Sequence, residues 1–232
     1  MSKTIKKKMG RYHVEIYPTQ AEGTPFVYTN SFMEAGGELI KLAEKEGAPP
    51  FQLISISHLD WDVDLSPWPA PSVISRDDNF QGHADMFCDF ITGEVVPFAE
   101  QELGEKPAVN VLAGYSMAGL FALYAPYRTE MFDKLVCASG SVWYPNFVEY
   151  VKQHPYPKKP ACIYLSLGDK ETHTKNPYLQ TTHTCMTELE ACFLGAGIDT
   201  VFETNEGGHH DHAVRREARG IIWALRAKRE QV

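Results

Sequence analysis

A short turn that contains a serine is the first feature of the sequence that could do chemistry. An apolar run leads into G-Y-S-M-A-G at 114–119, and helix-forming residues follow. A tight strand-to-helix turn has room only for small residues two positions before and after the serine, and Gly114 and Ala118 are both small. The pattern predicts a nucleophilic Ser116, with the Met117 N–H at the helix start as an oxyanion donor. The alternative is a connecting or phosphate-binding turn, but no GxGxxG pattern or P-loop lysine accompanies it.

A histidine-rich loop near the end of the chain could supply the base that this serine needs. A serine hydroxyl becomes a good nucleophile when a neighbouring imidazole accepts its proton. The run E-G-G-H-H-D-H at 206–212 follows an apolar run. We predict His209 as the base, because it is nearest to the two glycines that let the loop fold back, with His210 and His212 as alternatives. The same histidines could bind a metal ion, but an ordered spacing such as HExxH is missing, and we predict no metal site.

Two carboxylates compete for the role of orienting the imidazole. Both lie in L-G-D-K-E at 167–171, which ends another apolar run. Glu171 is far enough along the turn to reach inward, whereas Asp169 is better placed to cap the turn. We therefore favour Glu171. The order serine, acid, histidine along the chain is the order in which α/β hydrolases carry their catalytic residues.

Two further loops could complete the site. A second oxyanion donor is expected from the loop after an early strand, where Ser31 and Phe32 are the candidates. The segment 58–71 is rich in proline and tryptophan, and we predict that it forms a stiff wall over the pocket to which Trp68 contributes. An ordered surface excursion with aromatic anchors is the alternative for this segment.

Strand-like and helical segments alternate along the chain. The apolar runs predict strands at 11–17, 25–30, 51–56, 108–113, 134–139, 161–167 and 199–204. Helical patterns lie at 34–46, 83–103, 117–125, 177–195 and 212–228. This rhythm predicts an α/β fold, a doubly wound and mostly parallel sheet with helices on both faces. The first strand alternates polar and apolar residues, so we predict that it is an edge strand. The whole chain, 1–232, is expected to be a single domain.

Composition excludes several classes of partner. The formal net charge of −8 opposes binding to phosphate backbones, so we expect no nucleic-acid partner. No stretch approaches 18 apolar residues, which argues against a membrane partner. A basic cluster at 3–8 lacks the apolar segment of a signal peptide. The odd set of five cysteines has no CxxC pair and suits reduced residues, so we predict a cytoplasmic location.

Several motifs together resemble the esterase family that includes esterase D, feruloyl esterases and enterochelin esterases. The resemblance spans about residues 11–228 and rests on G-Y-S-M-A-G, A-S-G-S-V-W at 138–143, L-G-D-K-E, K-N-P at 175–177 and E-G-G-H. It implies the α/β-hydrolase fold without a separate cap domain. It also implies that Ser116 is the nucleophile, that His209 is the base, and that Ser141 and Trp143 line the pocket.

The expected activity is hydrolysis of a small-molecule carboxylic ester through an acyl-enzyme, without a cofactor. Acyl transfer to an alcohol would use the same three residues. A non-catalytic binding protein that kept the fold is the alternative from another class. A homodimer is also compatible with the predicted edge strands and helix faces.

Overall fold

The computed structural model describes residues 3–31, 34–73 and 79–227. Its ten strands are β1 (Ile5–Met9), β2 (Tyr12–Tyr17), β3 (Phe26–Asn30), β4 (Gln52–Ser57), β5 (Pro69–Ala70), β6 (Phe80–Gln81), β7 (Asn110–Tyr115), β8 (Lys134–Ala138), β9 (Cys162–Gly168) and β10 (Asp199–Asn205). Eight of them form one sheet in the order β1-β2-β4-β3-β7-β8-β9-β10, and β5 pairs with β6 separately. Each of the seven predicted strands is present.

Most neighbours in the sheet are parallel, as predicted. The run β4-β3-β7-β8-β9-β10 is parallel throughout, whereas β1 and β2 pair antiparallel at one end. The prediction that the segment 11–17 is an edge strand is wrong, because β1 covers its outer side. The lysine-rich segment of β1 is itself the edge, and its charged side chains discourage pairing with another chain.

Helices cover both faces of the sheet. They are α1 (Gly36–Lys45), α2 (Trp61–Asp64), α3 (Ala84–Phe90), α4 (Val96–Leu103), α5 (Met117–Tyr124), α6 (Phe147–Gln153), α7 (Pro177–Gln180), α8 (Thr182–Gly195) and α9 (Ala213–Arg226). α1 and α9 pack together on one face, and α3, α4, α5, α6 and α8 bury their apolar residues on the other. None of the helices in the described ranges combines the length and apolar character that a bilayer-spanning helix needs.

The predicted helix at 83–103 is interrupted by a proline. A π-helical turn, Ile91–Val95, joins α3 to α4 directly before Pro97. Proline has no N–H to donate, and its ring collides with the carbonyl of the preceding α-helical turn, so a wider turn relieves both problems. The predicted helix at 177–195 is also divided, because α7 ends at Gln180 and α8 begins at Thr182.

Helix α9 lies unusually close to the sheet. A Cβ added at Gly220 would lie 2.4 Å from Val136 Cγ1 and 2.6 Å from Tyr164 Cδ1. Only glycine permits this approach, although glycine within a helix costs about 1 kcal/mol relative to alanine. The helix backbone is therefore pressed directly against β8 and β9.

The same helix buries an acid, Glu217, which is hydrogen-bonded to Thr29 of β3. Burial raises the pKa of Glu217 from 4.5 to about 7, because desolvation of the carboxylate outweighs the hydrogen bond from Thr29. Glu217 is therefore largely protonated in the folded state at mildly acidic pH.

We expect the contribution of Glu217 to the free energy of unfolding to fall as the pH rises from about 4.5 to about 7, because the unfolded chain loses the Glu217 proton first. Glu217→Gln removes this ionisation, so its stability relative to wild type should rise by about 3 kcal/mol between acidic and mildly alkaline pH. Urea unfolding at several pH values measures the difference. Glu44→Gln, at an exposed position of α1, is the control. Parallel pH profiles for wild type and Glu217→Gln would contradict the expectation.

Candidate active site

The serine turn has the strained geometry that its sequence predicts. Ser116 follows β7 with φ 58° and ψ −123°, a backbone conformation that L-residues rarely adopt. A Cβ added at Gly114 would lie 2.3 Å from the Ala118 carbonyl carbon and oxygen. The close approach of strand and helix therefore requires glycine at 114, and it accommodates the small side chain of Ala118.

The loop after β8 supports the serine from below. The Ser116 N–H donates to the Ala138 carbonyl at 3.1 Å, and the Ser141 N–H donates to the Ser116 carbonyl at 3.0 Å. The hydroxyl oxygens of Ser116 and Ser141 are 3.3 Å apart. These contacts fix the serine backbone on both sides, and they place Ser141 beside the reactive hydroxyl.

His209 contacts both the serine and an acid. Its Nε2 lies 3.0 Å from Ser116 Oγ, and its Nδ1 lies 2.6 Å from Glu171 Oε2. The Tyr115 hydroxyl donates to the His209 carbonyl oxygen, so the loop is held at its backbone as well. Three side chains from three separate loops thus form one continuous chain of hydrogen bonds.

The other two histidines of this loop have different positions. His210 lines the same cavity, and its ring meets the His209 ring edge-on, with centroids 5.2 Å apart. His212 is the N-cap residue of α9 and has a left-handed backbone conformation. His209, the histidine predicted as the base, is therefore the one of the three within hydrogen-bonding distance of Ser116 Oγ.

The two competing carboxylates also take different positions. Asp169 accepts the Gly207 N–H at 2.8 Å, which caps the base of the histidine loop, whereas Glu171 reaches His209. Burial raises the pKa of Glu171, but hydrogen bonds from His209, the Gly168 N–H and Ser139 outweigh burial and leave that pKa below its ordinary value. Glu171 is therefore a carboxylate at neutral pH.

A buried arginine, which sequence analysis did not single out, lies behind the acid. Arg216 Nη1 donates to Glu171 Oε1 at 2.7 Å and to Ser139 Oγ at 3.0 Å. Its Nη2 donates to the carbonyls of Glu206 at 3.0 Å and Gly208 at 2.9 Å. The side chain is 2% exposed, so these bonds are made away from water. One guanidinium thereby joins the acid, the loop after β8 and the histidine loop.

Two of the predicted oxyanion donors, Met117 and Ser31, lie within the described residues. The Met117 N–H is the first amide of α5, and no preceding helical turn offers it an acceptor. Ser31 was a candidate for the second donor, but its N–H donates to the Ile56 carbonyl at 2.8 Å and its hydroxyl pairs with Ser55. The prediction for Ser31 is therefore wrong, because the pairing of β3 with β4 already uses this amide. Phe32, the other candidate, lies outside the described residues.

A cavity of about 310 Å³ opens beside the serine. Ser141 and Trp143 line it, as the family resemblance implied, and its other lining residues are Ser116, Ser139, Gly140, Glu171, Leu179, Thr182, His209 and His210. Trp68 does not line it: the prediction for this residue is wrong. Its ring packs against Tyr144, Phe147 and Tyr150, and its Nε1 donates to the Pro145 carbonyl at 3.1 Å. An aromatic cluster outside the cavity thus accounts for this tryptophan.

Known proteins share this sequence pattern and this fold. The Bacillus subtilis (strain 168) protein described as "Uncharacterized protein YbbA" is 28% identical over 166 residues, which cover 68% of this chain and 66% of YbbA, just under two thirds of that protein. Siderophore hydrolase EstB from Aspergillus nidulans is similar with a TM-score of 0.72 at 19% identity, over 94% of this chain and 93% of EstB. An IroE-like serine hydrolase from Shewanella oneidensis is similar with a TM-score of 0.76 at 16% identity, over 95% of this chain and 79% of that protein.

The family is shown by a match over most of the chain. A model of the family described as "Putative esterase" matches residues 8–217. The two solved structures are named as hydrolases, and their TM-scores over most of this chain show a shared fold. The chain therefore belongs to the "Putative esterase" family, and it has the α/β-hydrolase fold.

Proposed function

We propose that the chain hydrolyses a small-molecule carboxylic ester with Ser116 as nucleophile, His209 as general base and Glu171 as the residue that orients the imidazole. The observation that carries the proposal is the unbroken hydrogen-bond chain from Ser116 Oγ through His209 to Glu171. Both distances are short enough for direct proton transfer. A cytoplasmic location is part of the proposal, and the five free cysteines support it.

In the first half of the reaction, the imidazole accepts the serine proton. Glu171 is ionised and can only accept from His209 Nδ1–H, so the acceptor lone pair of the imidazole is on Nε2, facing Ser116 Oγ. The oxygen attacks the ester carbonyl, and the Met117 N–H stabilises the negative charge that develops on the carbonyl oxygen. A missing donor of this kind typically costs about 3 kcal/mol in the barrier.

The protonated imidazole then gives its proton to the leaving alcohol as the ester C–O bond breaks, and the acyl group stays on Ser116, which completes the first half. Water then enters, His209 accepts one of its protons, and the resulting hydroxide attacks the acyl carbonyl. The serine leaves with the proton, and the carboxylic acid departs. Glu171 stabilises the positively charged imidazole in both halves, and no step requires a cofactor.

Arg216 acts through these groups as a positioning residue. It binds Glu171 Oε1, the oxygen that does not face the imidazole, and so leaves Oε2 to His209. Its second nitrogen holds the backbone carbonyls on both sides of Gly207. Glu171 and the loop that carries His209 are therefore both bound to the Arg216 guanidinium, which fixes the distance between acid and base.

The cavity favours a compact substrate with an apolar or aromatic part. Trp143 and Leu179 supply apolar surface, and the hydroxyls of Ser141 and Thr182 supply polar contacts. EstB, which has this fold, is named a siderophore hydrolase, so a siderophore ester belongs in the substrate panel beside short p-nitrophenyl esters. Preference within such a panel reports the shape of the cavity.

Removal of the nucleophile or the base should abolish turnover. We expect Ser116→Ala and His209→Ala each to lower kcat for p-nitrophenyl esters by about three orders of magnitude or more. Ser116→Ala should also lose labelling by a fluorophosphonate probe. Added alcohols distinguish hydrolysis from acyl transfer, because a transferase would form new esters at the expense of the acid. A wild-type chain that neither turns over nor is labelled would identify a non-catalytic binding protein.

The two neighbouring carboxylates provide a matched pair of variants. Glu171→Gln should lower kcat roughly a hundredfold or more, because a neutral amide does not stabilise the protonated imidazole as a carboxylate does. Asp169→Asn removes a charge from the same turn, but Asp169 does not contact His209. The decrease in kcat should therefore be at least about tenfold smaller than in Glu171→Gln. Equal losses in the two variants, or a larger loss in Asp169→Asn, would reject Glu171 as the third member.

Arg216→Lys tests the positioning role. A lysine has one nitrogen in place of the fork and cannot bind Glu171 and the loop carbonyls together, so kcat should fall by about tenfold while KM changes little. Arg219→Lys, three residues further along α9 and exposed to solvent, is the control. Thermal unfolding of both variants separates a local effect from loss of the fold. An Arg216→Lys variant with wild-type kcat would exclude the role.

A further inference from the structure

A second cluster of reactive side chains lies at the sheet edge that carries Ser116, but on other strands. His13 belongs to β2, His58 directly follows β4, and Glu34 precedes α1. One potential ligand atom from each of these residues lies within 4.8 Å of the others. None of the three lines the cavity beside Ser116. The mechanism above leaves these side chains without a task.

The sheet itself brings the two imidazoles together. His13 is the register partner of Ser57 in the antiparallel pair of β2 and β4, so His58 is the next residue along the partner strand. His58 leaves the strand with φ 64°, a left-handed conformation that ends the alternation of side chains between the two faces. Its ring lies against the His13 ring, with centroids 3.8 Å apart.

The donor atoms suit a transition metal. Two imidazoles and one carboxylate are a common ligand set for zinc, whereas calcium and magnesium prefer oxygen ligands alone. Two ligands of a tetrahedral zinc ion, each about 2.1 Å from the metal, lie about 3.4 Å apart. His13 Nδ1 and Glu34 Oε1 are 3.4 Å apart. All three side chains are partly or fully exposed, so His58 can close the remaining gap and water can complete the coordination.

The charges around the cluster also favour a cation. Lys6 Nζ is 3.8 Å from Glu34 Oε2 and is paired as well with Glu15, so its charge is shared between two carboxylates. With neutral imidazoles, these two acids and one lysine leave a local charge of about −1.

We propose that His13, Glu34 and His58 form a binding site for Zn²⁺ or a chemically similar transition-metal ion. This proposal departs from the prediction of no metal site, and it stands independently of the proposed esterase function. Because its ligands come from three separate segments, bound metal joins the residue that precedes α1 to β2 and β4 and should stabilise the folded state against heat.

Titration calorimetry of the full chain with zinc chloride, after removal of any purification tag, tests the proposal. We expect one Zn²⁺ per chain and a rise in Tm that the metal concentration controls. His13→Ala, His58→Ala and Glu34→Gln should each weaken binding by about tenfold or more. Lys6→Gln should tighten binding, since it removes a neighbouring positive charge. Calcium chloride should produce no heat of binding.

Two control variants identify the site that the metal occupies. His154→Ala removes a histidine at the end of α6, and His210→Ala removes one from the loop beside Ser116, where a metal could bind without any built site. Both should leave the Zn²⁺ affinity as in wild type. The proposal is overturned by an absence of zinc binding at micromolar concentrations. It is also overturned by binding that His210→Ala removes and that His13→Ala and His58→Ala leave unchanged.

Discussion

The Arg216 guanidinium is the interaction on which the arrangement of the site depends. It lies at the carboxyl ends of three neighbouring strands, β8, β9 and β10, and it contacts Ser139, Glu171 and the carbonyls of Glu206 and Gly208. A buried arginine is costly to desolvate, and these acceptors replace water at its two terminal nitrogens. Each of the three loops must therefore keep its position if the guanidinium is to keep these hydrogen bonds. The proposed catalytic groups share an anchor that none of them could provide for another.

Local patterns made much of this structure predictable. The strands are runs of apolar residues, and the serine turn has a sequence that only a tight strand-to-helix connection requires. The histidine and acid loops follow strands that are adjacent in the sheet, β10 and β9, so the order of elements along the chain already brings them to one edge. Each of these features is encoded within a few neighbouring residues, which is why sequence analysis could find them.

Other features depend on contacts between distant segments. The Ser31 N–H is not available as an oxyanion donor because the pairing of β3 with β4 uses it. Trp68 does not line the cavity because it packs in an aromatic cluster with residues about 80 positions away. The cluster of His13, Glu34 and His58 exists only because β2 pairs with β4. Arg216 offered a signal that was not used: it lies one helical turn before Gly220 and two before Ala224, and both of those residues are buried. A charge on that row of α9 had to face the sheet.

Gly220 and Arg216 together couple the position of α9 to the geometry of the site. The helix is a stiff rod that rests on Val136 and Tyr164 where Gly220 has no side chain, and the arginine projects from the same rod one turn earlier. A methyl group at position 220 would collide with these two residues and would tilt the helix away from the sheet. The guanidinium would then rise with it and draw the acid and histidine loops out of alignment. The absence of a Cβ at Gly220 thus determines how close to the sheet the Arg216 guanidinium lies.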